Sequence, residues 1–208
     1  MTRKSIVSER GIKPSFILFS SCSVYNIFYE QHQIRLFVNT LILLKQFDWQ
    51  GKKVLDMGVG SGQLSLPLAE GGAIVTTIDK DESAMAKFSH PNITKVVTDI
   101  VTYNFEQGSF DIVIARNVLP FLGSRLFEIF EQIVNTTRKG GIIFCSFFGE
   151  RDEWRSKPNI KCLSENEIIE LLKKHNLKIH YQEIEEGIAP TMAGPTKYWH
   201  VLSYLLIK

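Results

Sequence analysis

The chain has 208 residues, 44% hydrophobic and 22% charged. That size and composition suit one domain with a buried core and exclude a globally disordered chain. With 24 Lys and Arg against 22 Asp and Glu, the net charge is +2, which lacks the basic excess that tracks a nucleic-acid backbone, so no nucleic-acid partner is expected.

The first 30 residues read as an N-terminal arm or lid on a single domain spanning 31–208. The patch Phe16-Ile17-Leu18-Phe19 loosely mimics a secretion signal, but Glu9, Lys13 and Pro14 precede it, which favours an arm packed on the domain. Mixed helical spacings from Ile34 to Leu44 predict a helix within 30–47. Lys53 to Met57 reads as a buried strand, and Leu64 to Ala69 as a helix carrying Pro67 near its first turn, where a missing N–H costs little. Strand signals follow at Ala73–Ile78, Thr94–Thr98, Phe110–Ala115 and Ile142–Phe148, with helical patterns at Ser83–Phe88 and Leu126–Val134 between them. Ser164 with Glu167 forms a capping-box pattern ahead of Ile168, Ile169, Leu171 and Leu172. Two late strands, Leu177–Ile184 and Tyr198–Ile207, have no helix between them and are expected to pair antiparallel. Alternating strands and helices imply an α/β fold, with a mostly parallel sheet covered on both faces and one antiparallel strand near its edge. No apolar run approaches about 18 residues, so no membrane span is expected. Cys22, Cys145 and Cys162 form no CxxC pair, which argues against a zinc knuckle and suits a reducing, cytoplasmic setting. Cys145, inside an apolar run, reads as a small core residue.

The informative segment is Val54-Leu55-Asp56-Met57-Gly58-Val59-Gly60-Ser61-Gly62, a strand running into a glycine-rich turn before a helix. Glycines there permit positive φ and close approach of a ligand, and the helix N-terminus adds free N–H groups. The dinucleotide fingerprint fails because Gln63 stands where its last glycine belongs, and the Walker pattern fails as well. Asp79 ends the next strand, where a carboxylate can take both hydroxyls of a ribose. Asp99 ends the third, where it suits either an adenine amine or a plain turn cap. Together with Asp56 they would line one crevice at the carboxyl ends of the strands. Asp111, at the other end of its strand, reads as structural.

These segments, with V-T-D-I at 97–100, F-D-I-V-I-A-R-N-V-L at 110–119 and K-G-G-I-I-F at 139–144, resemble the class I S-adenosylmethionine-dependent methyltransferases in order and over roughly residues 30–208. The resemblance implies a Rossmann-like, seven-stranded sheet whose last strand inserts antiparallel beside the fifth. It implies S-adenosylmethionine as cofactor and S-adenosylhomocysteine as product. It places Gly58, Gly60 and Gly62 around the methionine part with Asp56 near its amino group, Asp79 on the ribose, and Asp99 with the Ile100 backbone on adenine. Lys80 would lay its aliphatic stem against the adenine, and Arg116 and Asn117 would flank the methyl-bearing sulfur.

Transfer from an already activated sulfonium needs mainly alignment and exclusion of water, and a base only where the acceptor must lose a proton. The acceptor half is accordingly less legible. Tyr25, Tyr29 and His32 could form a lid, while Phe148, Glu150, Trp154 and His200 lie where such folds build the acceptor pocket, each also readable as packing or surface. His200 is the candidate base, and Asn117 the other candidate catalytic residue. Asn117-Val118-Leu119-Pro120 departs from the amino-methylating DNA motif, and the nucleophilic Cys near a Pro that cytosine carbon methylation needs is not found after the fourth strand; Arg116-Asn117 offers one oxygen ligand, so no metal is expected. A small-molecule acceptor remains by elimination. A cofactor-binding pseudoenzyme or interaction module, a protein or RNA acceptor, and a dinucleotide oxidoreductase are the alternatives.

Overall fold

The computed structural model describes residues 48–191 and 194–208. The arm at 1–30 and the helix expected within 30–47, with Cys22, Tyr25, Tyr29 and His32, lie outside the described residues.

Among the described residues, eight strands form one sheet: β1 (Lys53–Met57), β2 (Ile74–Asp79), β3 (Ile93–Val97), β4 (Phe110–Ala115), β5 (Thr137–Gly149), β6 (Cys162–Leu163), β7 (Lys178–Pro190) and β8 (Thr196–Ile207). Their order is β3-β2-β1-β4-β5-β8-β7, with β6 beside β5. The first five run parallel, and β8 pairs antiparallel with both β5 and β7. Seven strands were expected; the eighth is the two-residue β6, which pairs with the end of β5 at Phe148 and Gly149 and is too short to leave an alternation in the sequence.

Register aligns one buried row across the sheet: Leu55 against Val113, Val113 against Ile143, and Ile143 against Leu206. That face is covered by α3 (Leu126–Thr136) through Leu126, Ile129, Phe130 and Ile133, and by α4 (Glu165–Lys174) through Ile168, Leu171 and Leu172. The neighbouring row, Val54, Ile112 and Ile142, faces the other side with Leu64, Leu68 and Ala69 around α1 (Ser65–Glu70). A single helical turn, α2 (Glu82–Met85), is capped by Asp81. Residues apolar on both faces of a strand require helices on both sides, which is the architecture found. α4 begins with the expected capping box, Ser164 accepting from the Glu167 N–H while the Glu167 carboxylate returns to the Ser164 N–H.

Two strands outrun their expected bounds by five residues or more. β5 starts at Thr137, ahead of Gly140-Gly141, because Thr137 pairs with Phe110 across a register shift. β7 continues from Ile184 to Pro190 because β8 supplies a partner along its whole length. Asp111 accepts from the Lys53 N–H at 2.7 Å and forms an ion pair with Arg138, a tie at the amino ends of the strands.

Candidate functional site: a glycine loop at the carboxyl ends of the strands

Gly58, Gly60 and Gly62 all hold positive φ, at 65°, 53° and 76°. A side chain at Gly58 would strike Val118 and one at Gly62 would strike the Phe88 ring, whereas nothing lies within 4 Å of where a Cβ at Gly60 would stand. Two of the glycines are therefore required by packing, and the third leaves an open face above the loop. The Gly60 N–H donates to Asp79 Oδ2 at 3.0 Å, and the Asp81 N–H donates to Asp79 Oδ1 at 3.0 Å. The carboxylate ending β2 thus ties the loop after β1 to the turn after β2. Lys80, beside it, is exposed.

Asp56 is buried below the loop and accepts the Ser65 hydroxyl at 2.6 Å. Burial pushes its carboxyl up to about 7; the Ser65 hydrogen bond and the Arg116 charge pull the other way, and Asp79 adds to the rise. Asp99 is exposed and caps the turn Ile100–Thr102 by accepting the Val101 N–H at 3.0 Å on Oδ1. Its Oδ2 carries no hydrogen bond among the described residues.

Directly after β4, Asn117 adopts a left-handed φ of 53°. Its N–H donates to the Ser146 hydroxyl oxygen at 2.7 Å, and the Ser146 hydroxyl lies 3.1 Å from Asn117 Oδ1. Ser146 is fully buried on β5, so a rigid strand holds this strained residue. Arg116 is half-buried, in the field of Glu185 and Asp56. Burial lowers its guanidinium pKa, while those two carboxylates oppose the shift. Its Nε and Nη2 are buried with no hydrogen-bond partner among the described residues.

The structure therefore gathers Asp56, the glycine loop, Asp79, Arg116 and Asn117 at the ends of β1, β2 and β4, with Asp99 and Ile100 beyond the end of β3. It does not bring His200 to them. Pairing of Val201 with Glu185 and of Ser203 with Ser146 puts those residues on one face, and strand alternation sends His200 to the other. There the His200 ring packs on Gly149, Nδ1 accepts the Arg151 N–H at 3.3 Å, and Nε2 lies 2.9 Å from Arg151 Nη2. Burial and the Arg151 charge lower its pKa.

Above the end of β5, Lys197 on β8 forms an ion pair with Asp152, both side chains at most 1% exposed. Its ammonium stands 3.9 Å from the Trp199 ring centre, 4.5 Å from Trp154 and 4.9 Å from Phe148. Phe121, 48% exposed, closes the cluster edge-on against Phe148 and Trp154. Phe148 and Trp154 were pocket candidates from sequence, but Asp152, Lys197 and Ser146 were missed. Lys197 alternates with Trp199 along β8, which marks it as inward-facing, whereas Asp152 lies 45 residues away with no local signal. Glu150 is exposed. Burial pushes the Cys145 thiol up, as a core position does. Among the described residues, no group of three or more His, Cys, Asp or Glu is arranged to hold a metal ion, and no helix is long and apolar enough to cross a membrane.

Residues 55–145 match the family model described as a methyltransferase domain. The chain is 29% identical over 153 residues to a ribosomal protein L11 methyltransferase of Campylobacter concisus, covering 70% of this chain and 52% of that protein. It is 37% identical over 81 residues to a ubiquinone biosynthesis O-methyltransferase of Coxiella burnetii, covering 36% of this chain and 35% of the other. It therefore spans about half the length of the first relative and about a third of the second. Magnesium protoporphyrin IX methyltransferase from Synechocystis, solved with bound S-adenosylhomocysteine, superposes with a TM-score of 0.64 at 16% identity over 90% of each chain. The ordered motifs, the strand order and the matched model agree on a methyltransferase domain at residues 55–145, in a chain with the fold of the class I S-adenosylmethionine-dependent methyltransferases.

Proposed function

We propose that this chain is an S-adenosylmethionine-dependent methyltransferase acting on a small-molecule acceptor by direct methyl transfer. The observation that carries the reading is the glycine loop tied down by Asp79 with an open face at Gly60, a cradle that any Cβ would fill. The bound cofactor supplies a methyl group already activated on sulfur. This chain's part is to bind, orient and exclude water. Asp79 holds the loop and offers its remaining lone pairs to the ribose, Asp99 and the Ile100 backbone offer an edge for adenine, and Lys80 lays its stem alongside. Gly58, Gly60 and Gly62 follow the methionine part, and Asp56 sits below them as the counter-charge for its ammonium. Arg116 and Asn117 wall the side from which the acceptor enters. The aromatic wall of Phe121 and Trp154 suits a flat or apolar acceptor. Cys145 and Cys162 are free thiols, which fits a reducing, cytoplasmic setting.

A protein acceptor is the second reading, favoured by the match to a ribosomal-protein methyltransferase over 70% of the chain. Thermal unfolding and calorimetry with S-adenosylmethionine, S-adenosylhomocysteine and NAD, on the wild type and Asp79→Asn, test the cofactor. Ligand at 100 times its dissociation constant adds about 2.7 kcal/mol, or roughly 5–10 °C in Tm. That shift, lost in Asp79→Asn, is expected for the first two ligands. No shift with either defeats the proposal, and a shift with NAD alone points to an oxidoreductase. Methyl transfer to a small-molecule panel against transfer to ribosomal proteins then separates the acceptors.

A further inference from the structure

Buried N–H groups in folded proteins are nearly always paired, and a buried guanidinium edge without acceptors is costly. Arg116 presents such an edge: Nε and Nη2 are both buried and both without a hydrogen bond among the described residues. These two nitrogens donate in parallel, the geometry that matches the two oxygens of a carboxylate. The same molecule shows that use twice. Arg125 takes Glu128 through Nε and Nη2, and Arg151 takes Glu186 through the same two nitrogens. In Arg116 that edge has no acceptor among the described residues. Asp56 and Glu185 lie close enough to act on its charge, yet neither bonds to Nε or Nη2. The backbone beside it is fixed, because Asn117 is held in its left-handed turn by the buried Ser146. The edge is therefore desolvated and held in advance, as a receptor requires.

We propose that the Nε–Nη2 edge of Arg116 is a carboxylate receptor at the end of β4, taking the carboxylate of either the cofactor's methionine part or the acceptor. The inference rests on the methyltransferase reading for the identity of the ligand, and on the open guanidinium edge for its chemistry.

Calorimetry on the whole chain tests it with four probes. S-Adenosylhomocysteine carries the amino-acid end, methylthioadenosine lacks it, and benzoate at millimolar concentration, with and without S-adenosylhomocysteine, stands for a carboxylate acceptor. The variants are Arg116→Gln and Arg116→Lys, the second keeping the charge but not the fork. If the cofactor's carboxylate is bound, Arg116→Gln weakens S-adenosylhomocysteine by about tenfold or more and leaves methylthioadenosine within about twofold, with Arg116→Lys in between. If the acceptor's carboxylate is bound, both nucleosides are unchanged and benzoate binding is lost. Should Arg116→Gln fail to fold, the comparison is read from Arg116→Lys, whose preserved charge still compensates Asp56 and Glu185. Unchanged affinity for both S-adenosylhomocysteine and benzoate in a folded variant overturns the proposal and leaves Arg116 a counter-ion for Asp56 and Glu185. A wild type that ignores S-adenosylhomocysteine but binds benzoate through Arg116 defeats the cofactor assignment alone, and one that binds neither defeats both.

Discussion

Replacing Lys197 by Met keeps the length of the side chain and removes its charge. The ammonium is enclosed by three rings and paired with Asp152, whose own side chain is fully buried. Asp152 would retain the N–H groups of Trp154 and His200, at 3.0 and 3.1 Å, but no cation. Breaking a buried pair by removing one partner costs about 3–5 kcal/mol, because an uncompensated charge stays behind. For a chain of this size each kcal/mol moves Tm by roughly 2–4 °C, so Lys197→Met is expected to lower it by about 6–20 °C. Adding Asp152→Asn removes the stranded charge and is expected to recover part of the loss, since the amide oxygen can keep one of the two N–H contacts while its NH2 group cannot accept the other. Urea unfolding of the two singles and the double, with the m-value checked for constancy, measures the coupling. A loss below about 1 kcal/mol in Lys197→Met, or a double mutant equal to the sum of the singles, refutes the reasoning.

Asp56 titrates near 7 when folded against 3.8 when free. The native state therefore binds more protons between those values, and its stability falls as pH rises through the window from about 4 to about 7, by at most about 4 kcal/mol. Asp56→Asn should flatten that part of the pH–stability curve, and an unchanged slope would count against the assignment. Gly60→Ala meets open space, so it should cost only the left-handed strain of about 1–2 kcal/mol while weakening S-adenosylhomocysteine; Gly62→Ala adds overlap with Phe88 and should destabilise by about 1–3 kcal/mol more, both read by chemical denaturation. Ser146→Ala should cost about 1–3 kcal/mol, and Asn117→Gly should recover most of it in that background because glycine takes positive φ unaided; strict additivity of the two would show that Ser146 does not hold the turn.

The glycine-loop half of the candidate site is legible in the sequence because its contacts are local. Gly58, Gly60, Gly62 and Asp79 are fixed by where strands end, and β1 and β4 fall on their expected residues. Leu55, Val113 and Ile143 announce buried strands by composition alone. The part of the candidate site beyond β4 is opaque because its contacts are long-range. Ser146 reaches Asn117 across 29 residues from inside an apolar run, and the Lys197–Asp152 pair spans 45. His200 was singled out because a strand fixes its direction, but that direction depends on register with β5 and β7, which pattern within β8 does not contain.

Trp154 and Trp199 stand 5.5 Å apart within the Lys197 cluster, while Trp49 lies in the core just before the amino end of β1. Charge beside an indole shifts its emission. The chain thus carries its own optical probe at the aromatic cluster above β5, with a reference fluorophore away from it. A ligand that slides against Phe121 and Trp154, or any event that draws Lys197 from between the rings, would register as a change in tryptophan fluorescence without labelling, and selective replacement of Trp49 would leave that signal intact.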